Sequence, residues 1–177
     1  MTTVWEMVPA RFRMAALIAA SLLFVCTGLL TSRPPGYGRV TQLLEFELAM
    51  GSAESAALLA SWSDSQRAAV RASLLYDYAF IASYVTLASL LCSALATALS
   101  STRPRWSWFE QRLAWGFLVA GTLDVVENCG LLIAIRRSAS APWPQIAGLA
   151  SIAKWSYIGF ALAVGIVSTV LVLARPH

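Results

Sequence analysis

Hydrophobic positions fall into four long runs separated by short polar breaks. Residues 14–31 are an unbroken apolar stretch, and about 17–25 such residues cross a bilayer as helix. Three further runs occupy 74–99, 112–135 and 145–173. Together they predict an all-α fold: an integral membrane four-helix bundle in a single membrane domain. The stretch 39–62 has a different pattern. Val40, Leu43, Leu44 and Leu48 recur at helical spacing, with Glu45 and Glu47 off that face. Gly51-Ser52 interrupts the pattern, and Ser52 is placed to cap a second short helix through Ala57, Leu58 and Leu59. Both pieces are too polar to span. They predict an additional amphipathic surface helix between spans one and two, lying on the membrane or covering the bundle.

Local signals mark the ends of the runs. Arg33-Pro34-Pro35-Gly36-Tyr37-Gly38 allows no regular structure and stops the first helix. Ser63-Asp64-Ser65-Gln66 has the form of a capping box, and so has Ser107-Trp108-Phe109-Glu110. A turn with Pro104 separates the second and third spans. Arg136-Arg137 closes the third, and Pro144 suits the first turn of the fourth. Trp106, Trp108, Trp143 and Tyr37 sit near span ends, as in an aromatic belt. Arg11 and Arg13 precede the first run, so it also has the flank of a signal-peptide core. Its length and the lack of an A-x-A site favour a transmembrane helix.

Composition agrees with the pattern. The 177 residues are 58% hydrophobic and 12% charged, against about 45–50% and about 25% in soluble domains. Net charge is +4. The arginines stand at segment ends rather than on one stripe, which argues against a nucleic-acid partner. Cys26, Cys92 and Cys129 are odd in number and widely spaced, so they form neither a disulfide framework nor a metal motif. They read as small core residues. His177 is the only histidine, too few for haem, diiron or HExxH chemistry. No cofactor and no metal are expected.

Charges inside spans narrow the chemistry, because each costs about 2.5–3.5 kcal/mol on insertion scales. Asp77, Asp124, Glu127 and Lys154 are such residues, with Asn128, Tyr84 and Tyr157 beside them. A rise of about 1.5 Å per residue puts Glu127 about 12 Å below the membrane face opposite the N-terminus. The same arithmetic gives about 14 Å for Lys154, about 15 Å for Tyr84, about 16 Å for Asp124 and about 18 Å for Tyr157. Asp77 is shallower, at about 5 Å. Helical spacing also aligns them. Phe117, Ala120, Gly121, Asp124, Glu127 and Asn128 share one stripe; Ala147, Ser151, Lys154, Tyr157 and Ala161 share another; Asp77, Ile81, Tyr84 and Ala88 a third. A polar pocket or seam enclosed by spans two, three and four follows.

Two deep carboxylates face one lysine in that seam. One pairs with Lys154; the other needs a proton, a hydrogen bond from Asn128 or a tyrosine, or water. Lys154 is the only lysine, while twelve arginines serve elsewhere. A buried lysine can release its proton and an arginine in practice cannot. The cluster therefore reads as a titrating ligand or proton site, or as a plain clasp that fixes helix packing. Tyr76, Tyr78 and Tyr84 read more simply as core or interface aromatics, and Trp62 and Trp155 as packing or interfacial anchors.

Phe46-Glu47-Leu48-Ala49, Trp62, Asp77 with Phe80 and Tyr84, and Leu123-Asp124-Val125-Val126-Glu127-Asn128 together resemble a set of small bacterial four-span membrane proteins. The resemblance covers residues 46–157, and Asp-x-x-Glu-Asn is its most specific part. It implies the topology and no activity.

Three functions compete. The first is binding or moving a proton-linked or amphiphilic small molecule, with Asp124, Glu127, Asn128, Lys154, Tyr84, Tyr157 and Asp77 as site residues. The second is a structural or assembly subunit whose charges clasp the bundle. The third is a lipid or isoprenoid enzyme using acid–base chemistry, with Glu127 or Asp124 as proton donor. Expected partners are membrane lipids, an amphiphilic ligand, and a second copy or membrane partner. Transport through four spans would require oligomers. Arginines divide six to six between the membrane faces. The long first connection tips the termini toward the cytoplasm of a bacterial inner membrane.

Overall fold

The computed structural model describes residues 4–32 and 40–174. The proline-glycine break that ends the first run, with Arg33, Tyr37 and Arg39, lies outside them, as do Arg175 and His177. The chain begins with a short helix α1 (Val4–Met7) and a 3-10 turn at Ala10–Phe12. It continues as α2 (Arg13–Ser32), α3 (Val40–Leu48), α4 (Ser52–Ser61), α5 (Asp64–Leu99), α6 (Pro104–Arg136) and α7 (Trp143–Leu173). Four of these helices are long and apolar enough to cross a membrane: the segment Ala10–Thr31, which takes in all of α2 but its last residue, then α5, α6 and α7. They make a four-helix membrane bundle, with the shorter α3 and α4 between the first two spans.

Packing centres on α5. It meets α6 along one side and α2 along another, while α7 lies mainly against α6. Small side chains let the backbones approach. Thr27 of α2 and Ser83 of α5 share a hydrogen bond of 2.8 Å, and Ser89 of α5 donates to the Ala114 carbonyl of α6 over 2.8 Å. Most of α2 and α7 is left uncovered by protein, and their exposed Leu, Ile and Val side chains suit contact with lipid. Only α5 joins α2 to the rest in broad contact, so a gap runs between α2 and α7.

α3 and α4 cover one end of the bundle. Phe46 and Trp62 are buried edge to face, 5.2 Å between ring centroids, in a cluster with Leu59, Val70, Leu74 and Leu131. Arg67 donates to the Leu59 carbonyl through both Nη2 (2.6 Å) and Nε (3.1 Å), capping the end of α4. The inward face of α3 differs from the expected one. Leu44 and Leu48 are exposed, whereas Phe46 is buried and Glu47 half-buried. The residues 43, 46, 47 and 50 also repeat at helical spacing, and burying the Phe46 ring selects that face.

Two caps also differ from expectation. Gly51 is the N-cap of α4 and Ser52 its first residue, so Ser52 does not cap; its hydroxyl instead accepts from Gln145 Nε2 at 3.3 Å. The Ser63–Gln66 capping box is present in full at the start of α5. The Ser107–Glu110 box is not, because α6 already begins at Pro104. Proline is suited to the first helical turn, and the earlier start leaves Glu110 inside the helix. Cysteines divide as well: Cys92 is buried, but Cys26 and Cys129 are exposed rather than core. The apolar surroundings of a span place such side chains at the lipid face as readily as inside.

Candidate functional site

Lys154 of α7 carries the centre of the polar cluster. Its Nζ lies 2.7 Å from Asp124 Oδ1 and 2.6 Å from Glu127 Oε2, both on α6. All three residues are buried: Asp124 and Lys154 are 5% exposed and Glu127 is 1% exposed. The separation of three between the two acids puts them on neighbouring positions of one helix face, so a single ammonium reaches both. These are intramembrane salt bridges. Their short geometry matters because desolvated ions are costly unless paired.

The remaining bonds tie α5 to the same level. The Tyr84 hydroxyl donates to Asp124 Oδ2 over 3.0 Å. Asn128 Nδ2 donates to Asp77 Oδ2 over 2.7 Å. Thus Asp77, Tyr84, Asp124, Glu127, Asn128 and Lys154 form one cluster spanning α5, α6 and α7. Ser151, fully buried one turn earlier on α7, lies against Glu127. Tyr157 stands apart. Its hydroxyl donates to the Leu113 carbonyl over 2.6 Å, and its ring packs on Phe117. Gly116 leaves the room for that ring, since a β-carbon there would overlap it.

A cavity of about 550 Å³ opens on this cluster. It lies in the gap between α2 and α7, with α5 and α6 behind it and α3 at its end. Asp77, Tyr84, Asp124, Asn128 and Lys154 contribute its polar wall; Phe24, Phe80, Phe117 and Trp155 contribute aromatic surface. Trp155 is 54% exposed, so it lines the cavity rather than packing in the core. Ligand sites are commonly cavities of about 300–1,000 Å³ with apolar walls and a few convergent polar groups.

Two acids escaped the sequence reading. Glu47 lines this cavity from α3, and no described residue gives its carboxyl a hydrogen bond or ion pair. Burial, then Glu127, push its pKa up to about 8 despite Lys154, with Asp77 and Asp124 adding to the rise. Its sequence signal was the alternative helical face through Leu43 and Phe46. Glu110 lies fully buried in α6, where Ser168 of α7 donates to its Oε1. Extending the Asp124 stripe backward through Gly121, Phe117 and Ala114 reaches it.

Among the described residues, no group of three or more His, Cys, Asp or Glu side chains has the arrangement to hold a metal ion. No family model, curated protein or solved structure matches the chain. The resemblance to four-span proteins therefore rests on the four long apolar helices alone.

Proposed function

We propose that the chain is a single-domain structural or assembly subunit of the membrane, whose Asp124–Lys154–Glu127 cluster clasps the bundle. The observation that carries this reading is the sharing of one ammonium by two carboxylates, at 2.7 and 2.6 Å. Among the described residues Lys154 is the only cation in the cluster, and its bonds run from α7 to α6. Asp124 extends the tie to α5 through Tyr84. Removing one partner from a buried ion pair typically costs about 3–5 kcal/mol, while replacing the whole group with apolar or neutral residues is often close to neutral. Lys154→Met should therefore lower stability in detergent strongly. Adding Asp124→Asn and Glu127→Gln to it should recover most of the loss. A Lys154→Met protein as stable as the native one sinks the clasp.

A second reading is favoured by the cavity itself: the same cluster binds or moves an amphiphilic small molecule. A clasp alone needs no open space beside it, yet about 550 Å³ adjoins Asp124 and Lys154. Loss of amphiphile binding from the folded, neutralised variant separates this reading from the first, because a cluster that only clasps the bundle has no ligand to lose. The orientation that fits the long first connection has both termini in the cytoplasm of a bacterial inner membrane. One-sided labelling of a cysteine introduced at exposed Glu54 reports it.

A further inference from the structure

The geometry points to a cationic amphiphile, an ammonium carried on an apolar body, as the occupant of the cavity between α2 and α7. This rests on the binding reading above and names the ligand class. Four acids gather here: Glu47 and Asp77 in the cavity wall, with Asp124 and the adjoining Glu127. One lysine faces them, and Asp124 and Glu127 already hold it. Among the described residues, Asp77 has only a neutral donor, Asn128, and Glu47 has none. The carboxyls left without a cationic partner among the described residues are therefore those of Glu47 and Asp77.

The walls fit the same chemistry. Phe24 and Phe80 stack with centroids 5.2 Å apart, and Phe80 meets Tyr84 at 5.7 Å. Ring faces attract cations, most strongly when desolvated, and aromatic surfaces recognise ammonium groups in this way. Among the described residues the one cation in this wall is Lys154, already held by two carboxylates, so an anion would meet an acidic wall. Two largely uncovered spans, α2 and α7, both line the cavity, which suits the approach of an apolar tail from their side. Ionised Glu47 is the form that attracts the ligand. Its pKa near 8 reflects burial and the surrounding Glu127, Asp77 and Asp124, opposed by Lys154. An arriving cation displaces the proton, so binding tightens as pH rises through about 8.

The test uses the full chain in a sugar-headgroup detergent, with radiolabelled dodecyltrimethylammonium as probe. Dodecanol and dodecyl phosphate are the matched neutral and anionic probes, and a short-chain phosphatidylcholine is the competitor. Saturable binding of the ammonium probe is expected, with Glu47→Gln and Asp77→Asn each weakening it about tenfold through a lost charged contact. Exposed Glu45→Gln should bind as the native chain does. Displacement by phosphatidylcholine supports the proposal with a lipid headgroup as source; saturable binding without displacement supports it with a free amphiphilic amine. Dodecanol or dodecyl phosphate binding as tightly as the ammonium overturns the cationic class and leaves the binding reading standing. Failure of all three probes overturns both. Should Asp77→Asn not fold, Glu47→Gln decides the question, because α3 lies outside the spans.

Discussion

Tyr84 donates to the oxygen of Asp124 that Lys154 does not touch. One carboxylate thus receives α5 on one side and α7 on the other. Tyr84→Phe removes only the α5 bond and leaves the salt bridges in place. A hydrogen bond to a charged group is worth about 1.5–3 kcal/mol, so a loss in that range is expected in thermal or denaturant unfolding. Asp124→Asn should cost more, because Lys154 loses one of its two carboxylates. Equal losses for the two variants would mean that the tyrosine bond is the only one that matters.

Glu47 gives stability a pH dependence of definite sign. Its pKa rises from 4.5 to about 8 on folding, so the folded chain binds the proton more tightly than the unfolded one. That contribution is fully present below pH 4.5, shrinks above it, and is gone once pH passes about 8. Glu47→Gln removes it. Relative to the native chain, the variant should gain stability across this window and keep a constant difference above it. Melting curves of the two proteins in detergent measure the difference directly. A difference that does not change with pH would show that Glu47 is not held in the buried setting.

Gly148 sets how closely α3 sits on α7. A β-carbon there would stand 2.8 Å from Met50 Cγ and 3.6 Å from the Glu47 carbonyl oxygen. Methionine is flexible, so Gly148→Ala should be tolerated with a small loss. Gly148→Leu is too large and should lift α3. With α3 displaced, Glu47 returns to water and the pH-dependent difference just described should vanish. The same melting curves, repeated in the Gly148→Leu background, test this coupling.

The turn between α6 and α7 holds two non-glycine residues in left-handed backbone, Ser138 at φ 51° and Ala139 at φ 58°. Such a conformation costs an L-residue about 1–2 kcal/mol. Ser138 is exposed, so Ser138→Gly should stabilise the protein by about 1 kcal/mol. Ala139 is 1% exposed and belongs to the core cluster. Ala139→Gly should gain less, because the lost methyl packing offsets the relief. A chemical denaturation midpoint that falls for Ser138→Gly would contradict this account.

The spans were legible because length and continuous hydropathy fix them with little help from tertiary structure. The Asp124, Glu127 and Lys154 level was legible for a related reason: helical rise and spacing convert sequence position into depth and direction. α3 was not legible in the same way. Over nine residues two faces satisfy the helical period, and only the fit of Phe46 against Trp62 chooses between them. Glu110 was obscured by a local pattern, Ser107 to Glu110, that imitates a helix start. The proline three residues upstream of Ser107 outweighs it. The gap between α2 and α7 depends on which helices pair, and no one-dimensional pattern carries that.

The salt-bridge cluster also has a consequence for biogenesis. Asp124 and Glu127 emerge from the ribosome with α6, whereas their counter-ion follows on α7, 27 residues after Glu127 in the chain. Until α7 enters the membrane, the carboxylates of α6 lack the ammonium that holds them. A charge at mid-membrane costs about 2.5–3.5 kcal/mol on insertion scales. Integration of α6 should therefore become more favourable once α7 follows it into the membrane. A nascent chain halted before Lys154 leaves both acids without their counter-ion within the bilayer.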